Sequence, residues 1–249
     1  MKQLKEILLG VFVILVFGWL ITYVYRYEAS SRNKELAKRI AELSPRRGPP
    51  ETIDNLRQAI ALYENQIERN VREGAQTGIY WKILAVRLSD KELYNDALEA
   101  LERAIYFNSE DPILFYLTGV SAAKVAQKKI GFSVNDEEEK ERYYKLSENA
   151  YLQALKLDAT YTKAMYGLAI LYAFELDRPQ DAINQLESYL QIQTSDINAM
   201  FVLARSYYMM ENFTSAIEVY ERIAARTKDK KIKEEAFRNM DIVRETMYE

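Results

Sequence analysis

Residues 80–88 read YWKILAVRL and residues 95–107 read NDALEALERAIYF. In the first stretch Trp81, Leu84 and Ala85 fall on one side of a helix. In the second, Ala97, Leu101 and Ala104 do the same, because residues three or four apart are neighbours on a helical surface. The large and small residues divide the work. An alanine where two helices cross lets their backbones approach, while a large residue such as Leu101 fills the space toward the next helix. A short polar break separates the two stretches, which predicts a helical hairpin.

The same pattern returns further along the chain, at starts of residues 78, 112, 162 and 197. The fourth position of each unit holds Trp81, Phe115, Met165 and Met200, and the seventh holds Leu84, Thr118, Leu168 and Leu203. The eighth holds the small residues Ala85, Gly119, Ala169 and Ala204. Its small partner on the second helix is Ala97, Ser147, Ala182 and Ala216. Leu101, Tyr151, Leu186 and Tyr220 are the expected spacers between successive helices. One such hairpin cannot bury its apolar face alone, so a core requires stacking of neighbours.

This spacing resembles the tetratricopeptide repeat, a helix–turn–helix of about 34 residues, over residues 78–230. The resemblance implies an all-α fold, a right-handed solenoid of helical hairpins with units at 78–111, 112–161, 162–196 and 197–230. Residues 231–249 are the expected capping helix, with Ile232, Ala236, Met240, Val243 and Met247 on one face. Residues 51–77 are helical (Ile53, Leu56, Ile60, Tyr63, Ile67), and Ala59 and Tyr63 are placed like a second helix, giving an N-terminal half-repeat. Several positions depart from the pattern. Thr118 fits its position poorly, and Tyr189 and Ile223 replace a second alanine. The second unit also carries about sixteen extra residues around IGFSVNDEEEKER (130–142). There Asn135 is the expected cap of a lengthened helix, with Asp136 to Glu139 favoured in its first turn by the helix dipole.

Residues 7–25, ILLGVFVILVFGWLITYVY, form a run of nineteen residues without a charge, thirteen of them Leu, Ile, Val or Phe. These favour bilayer insertion by roughly 4–8 kcal/mol, and a helix of this length spans about 28 Å, near the hydrocarbon thickness. Trp19, Tyr23, Tyr25 and Tyr27 crowd its far end like an interfacial belt. A cleaved signal peptide has a shorter apolar region and a small-residue cleavage site, whereas Ala29-Ser30-Ser31 follows a bulky approach. Residues 1–27 are therefore expected to be an uncleaved single-pass anchor, with 28–50 a basic juxtamembrane helix and Pro-rich linker. Two Lys/Arg precede the run and five follow it closely, which favours a cytoplasmic domain. Met-Lys-x-x-Lys before an apolar run resembles an export signal, and the expectation taken is an extracytoplasmic domain at a bacterial inner membrane.

Composition narrows the chemistry. The 249 residues contain no Cys and no His, so thiolate nucleophiles, His-based triads and Cys- or His-ligated metals are excluded. The eight glycines are never clustered into a phosphate-cradling loop. Residues 1–50 carry a net charge of +5 and the remainder −8, giving −3 overall. A chain this acidic beyond its anchor is a poor nucleic acid binder. No catalysis, cofactor, metal or nucleic acid partner is expected.

In tetratricopeptide proteins the first helix of each unit lines a concave surface, and some members grip a peptide's C-terminal carboxylate there with a Lys/Asn/Lys/Arg clamp. Lys82 and Lys163 match two clamp positions. Val86, Leu117 and Gly167 stand where Asn or Arg is required, so that clamp is broken. The resemblance instead places Tyr116, Val120, Tyr166, Ile170, Phe174, Phe201, Tyr208 and Met209 on the groove, with Lys124 and Arg205 among them. Rigid aromatics in a concave surface suit an apolar helix or an extended peptide. The resemblance thus implies a membrane-tethered scaffold for a protein or peptide partner, in envelope complex assembly or quality control. The same groove would also suit a small hydrophobic ligand or lipid in a transport system, and a cytosol-facing receptor is a third possibility.

Overall fold

The computed structural model describes residues 52–129 and 134–247. Among them are nine α-helices and no strand: α1 Ile53–Asp90, α2 Tyr94–Phe107, α3 Pro112–Lys128, α4 Val134–Leu157, α5 Thr162–Phe174, α6 Pro179–Ile192, α7 Ile197–Met209, α8 Phe213–Arg226 and α9 Lys230–Met247. No helix among these residues is long and apolar enough to cross a membrane. The span expected over residues 7–25 and the basic segment at 28–50 lie outside the described residues.

The chain divides into two compact units, Met1–Arg72 and Glu73–Glu249. In the first, the Thr52 hydroxyl accepts from the Asn55 amide at 3.3 Å, capping the start of α1. Ile53, Ile60, Ile67 and Val71 along this part of the helix are each more than half exposed.

In the second unit the repeats stand as helix pairs: the end of α1 with α2, α3 with α4, α5 with α6, and α7 with α8. The half-repeat helix expected to end at residue 77 and the first repeat expected to begin at 78 both lie within the 38-residue helix α1. No proline interrupts it, and Gly74 and Gly78 each cost a helix only about 1 kcal/mol relative to alanine. Gly78 also has a packing role, since a Cβ there would lie 2.8 Å from Phe107 of α2. In the second repeat α4 begins at Val134, so Asn135 lies inside the first turn rather than capping it.

All eight small residues at the helix crossings are buried. Ser147, the one polar member, donates its hydroxyl to the Gly119 carbonyl at 2.7 Å. This satisfies a hydroxyl that would cost about 1–3 kcal/mol if buried unpaired. The spacer residues behave as expected: Leu101 and Leu186 are fully buried, and Tyr151 and Tyr220 nearly so. Each buried leucine contributes roughly 1.5–3 kcal/mol. Tyr151 is held most tightly. A Cβ on Gly119 of α3 would lie 2.7 Å from its ring, and one on Gly167 of α5 would lie 2.8 Å from it. The ring is therefore clasped between two helices that can approach only because both residues are glycine.

Helices α3, α5 and α7 touch one another in succession, and their partners α4, α6 and α8 have no comparable mutual contact. The first helix of each of these repeats therefore faces inward and the second outward. The apolar core falls into two clusters. A small one joins Ala85, Ala100, Leu101, Ala104 and Leu114. A large one runs from α3 to α9 and includes Leu168, Leu186, Leu203, Ile223 and Met240. Helix α9 closes the end with Ala236, Met240 and Val243 buried, while Met247, expected on the same face, is about half exposed at its terminus.

The turns inside the hairpins use backbone conformations that disfavour their side chains. Glu92, Asp177 and Glu211 sit at φ 59°, 50° and 56°, a region costing a non-glycine residue roughly 1–2 kcal/mol. Glycine avoids that cost but loses more backbone entropy on folding. Replacing exposed Glu211 by glycine is therefore expected to stabilise the protein by about 0.5–1 kcal/mol, read as a higher urea midpoint in far-ultraviolet circular dichroism. An unchanged or lower midpoint would contradict the strain. The turns between repeats are better matched. Asp111 and Asp196 cap α3 and α7 by accepting from Ile113 and Ala199 amides at 2.9 and 3.1 Å.

Candidate functional site

The inward helices carry an aromatic at the same place in three successive repeats, and each leans on a tyrosine of its own outward helix. Tyr116 lies 6.2 Å from Tyr151, Tyr166 lies 5.4 Å from Tyr189, and Phe201 lies 6.0 Å from Tyr220, measured between ring centroids. Tyr116 also meets Tyr161 edge-on at 5.5 Å. These rings are half-buried, with one side packed within the repeat and the other left on the inner surface.

Further along the same helices lie Val120 and Ile170, both half-buried, and Phe174 and Met209, 43% and 37% exposed. The Arg205 guanidinium stands 4.8 Å above the Phe174 ring, a cation–π contact across two repeats. Tyr208 lies 5.9 Å from Phe213 and has its hydroxyl 3.4 Å from that of Thr246, so the capping helix touches the end of the surface. Lys163 is exposed, and Lys124 donates to Gln127 at 3.1 Å.

Lys82 stands apart from this group. Its ammonium pairs with Asp111 at 2.7 Å, with both side chains mostly buried. The same aspartate caps α3, so Lys82 fastens the first repeat to the second and has no free charge to offer a ligand. The sequence pattern also passed over Ile79 and Ile113, which occupy inner-face positions and are 50% and 39% exposed. The repeat register alone would have found them.

Tyrosine–carboxylate pairs brace neighbouring helices. Tyr172 donates to Glu148 at 3.0 Å, Tyr189 to Asp196 at 2.6 Å and Tyr207 to Glu187 at 2.5 Å. Burial, then the hydrogen bond to the neighbouring carboxylate, pushes each of these phenols up to about 12. The unfolded phenol ionises near 10, so the folded state holds more protons between these values. The stability this gives is fully present below about pH 10 and is lost as pH rises through about 12. Tyrosinate absorbance and helix content are expected to change together in that window. Ionisation of all tyrosines near pH 10 with the helices intact would refute it.

Residues 173–234 match the tetratricopeptide repeat family model. The chain resembles a TPR repeat-containing protein of Borreliella burgdorferi, 21% identical over 227 residues that cover 89% of this chain and 96% of the relative. Among solved structures, residues 41 to the end of MamA from Desulfovibrio magneticus RS-1 superpose with a TM-score of 0.51 at 16% identity, covering 68% of this chain and 94% of that one. A thermophilic TPR protein of Thermus thermophilus superposes with a TM-score of 0.51 at 18% identity, covering 72% and 87%.

The fold is a tetratricopeptide solenoid. The family match covers the second helix of the third repeat and the whole of the fourth, with alanine at the crossing positions 182, 204 and 216 and Leu203 at position seven. The tetratricopeptide register also accounts for the second repeat, where glycine and serine take the crossing positions and the helix is lengthened.

Proposed function

We propose that this protein is a membrane-tethered tetratricopeptide scaffold that binds a protein segment along the inner face of α3, α5 and α7. The observation that carries this reading is the row of half-buried aromatics, Tyr116, Tyr166 and Phe201, continued by the exposed Phe174 and Met209. Pre-packed rings lose little conformational freedom on binding, and such residues dominate interface energetics. Val120 and Ile170 supply apolar floor between them, while Arg205, Lys124 and Lys163 at the margin suit a segment with acidic flanks. No step of chemistry is required. The charge-free run at 7–25 confines the scaffold to a membrane, which raises the effective concentration of whatever it holds.

The setting we infer is assembly or quality control of complexes in a bacterial envelope, with the solenoid outside the cytoplasm. A photo-crosslinking amino acid at Phe174 in cells is expected to trap one partner that the same group at exposed Asn184, on the outward helix α6, does not. Equal trapping at both positions would remove the inner-face assignment. A C-terminal reporter active only in the cytoplasm would reverse the topology and leave the groove assignment standing.

A further inference from the structure

A cavity of about 580 Å³ opens on the outer side of the solenoid between α2 and α4, with α3 as its floor. It lies beside Thr118, which fits its repeat position poorly. Position seven holds buried leucines in the later repeats, Leu168 and Leu203. In the second repeat it holds Thr118, whose hydroxyl turns back to the Leu114 carbonyl at 2.9 Å. The cavity is lined by Leu98, Ile105, Phe115, Tyr143 and Leu146.

The corresponding outer positions elsewhere are filled differently. Between the second and third repeats, Arg178 reaches Glu148 and Asp181 at 2.6 Å each and stacks 4.4 Å from the Tyr172 ring, latching the junction shut. Between the third and fourth, a cleft of about 440 Å³ carries charges of both signs, Glu187, Glu218, Arg222 and Arg226. The first cavity has no ion-pair latch and no cation among its lining residues; the Tyr143 hydroxyl, donating to Asn95 Oδ1 at 3.4 Å, crosses from α4 to α2 beside it. Glu99 and Glu102 stand exposed on its α2 rim without an ion-pair partner among the described residues. On the opposite wall's helix, Arg142 stacks on Tyr143 at 5.3 Å and reaches Glu139 at 3.3 Å.

We propose that this outer cavity receives a basic amphipathic helix of a partner protein, separate from the segment held on the inner face. Glu99 and Glu102 lie one helical turn apart on α2, so they match cations one turn apart on a helix laid alongside it. The trough between α2 and α4 offers such a helix apolar walls for a leucine stripe, the helix-in-groove arrangement. Its volume is within the usual range of ligand sites, enough for several branched side chains.

The test uses the full chain in nanodiscs of neutral lipid, with empty nanodiscs as blank. The probe is a dye-labelled Leu/Lys amphipathic helix of about 18 residues, roughly 27 Å long, read by fluorescence anisotropy. Saturable binding is expected, and Leu146→Lys, at a position 40% exposed, is expected to weaken it more than tenfold. The double variant E99K/E102K is expected to weaken it about tenfold, as two rim ion pairs become repulsive. A Leu/Glu helix with the same apolar stripe is expected to bind at least tenfold more weakly. Circular dichroism checks that both variants stay folded. Equal binding of the two helices, or undiminished binding by folded Leu146→Lys, would overturn the proposal. Saturation by a single-chain cationic amphiphile without binding of the Leu/Lys helix would overturn it in favour of a small ligand. Concentration-dependent self-association abolished by Leu146→Lys would overturn it in favour of a second copy. Tyr166→Ala, which alters the inner face, is expected to leave the anisotropy unchanged, so failure of either site is read independently.

Discussion

Gly119→Ala is expected to destabilise the protein by about 2 kcal/mol, although alanine is the better helix former by about 1 kcal/mol. The two effects have opposite signs, so the experiment decides between them. The new methyl would lie 2.7 Å from the Tyr151 ring, a distance that forces something to move. The ring has little freedom to move, since it is nearly buried and also packs beside Gly167 of α5, where an added Cβ would lie 2.8 Å from it. Retreat of α3 would instead stretch the bond from the Ser147 hydroxyl to the Gly119 carbonyl. Overpacking of this kind typically costs 1–3 kcal/mol. Gly167→Ala is expected to act similarly, since its methyl would lie 2.8 Å from the same ring.

The causal residue is isolated by a double-mutant cycle. Tyr151→Ala alone removes a nearly buried aromatic and is expected to cost about 3–5 kcal/mol. In that background Gly119→Ala has room for its methyl, so its penalty is expected to vanish or change sign, a coupling of roughly 2 kcal/mol or more. Urea denaturation of the four proteins measures it. Stabilisation by Gly119→Ala in the parent protein, or equal cost in both backgrounds, would show that the ring is not what the glycine accommodates.

The second large effect concerns binding. Tyr166→Ala combined with Phe201→Ala is expected to abolish capture of the partner trapped from Phe174. Truncating a well-packed aromatic anchor commonly costs at least about 2 kcal/mol, and a pair of them accounts for a loss on the order of a thousandfold. Both rings also pack on a tyrosine of their own repeat, Tyr189 and Tyr220, so the double variant is expected to lose stability as well. A companion variant separates the two effects. Phe174→Ala removes a ring that is 43% exposed and that touches Arg205 rather than the core. It is expected to weaken capture while leaving the thermal midpoint nearly unchanged. Full capture by the folded double variant would end the inner-face assignment.

The repeat was legible because a helix crossing demands a small residue at fixed intervals, and eight of them met that demand. The inner-face aromatics were legible through the same register. What sequence could not supply were relations between distant residues. Lys82 looked like a ligand contact until Asp111, twenty-nine positions away, proved to hold it. The unbroken course of α1 was hidden by the repeat boundary itself, since a helix continues through glycine wherever nothing stronger stops it. Thr118 was visible as a poor fit, but only the packing of α2, α3 and α4 shows the cavity beside it. The tyrosine–carboxylate braces had no linear signature at all.

The apolar core divides into a small and a large cluster, so the first repeat is expected to open before the rest of the solenoid. Stability in stacked repeats is a sum of local terms passed between neighbours, and the first repeat has the fewest. It would open in excursions too small to release the others, leaving amide hydrogens in α2 to exchange well before those in α6. A scaffold built this way has one compliant end and one stiff end.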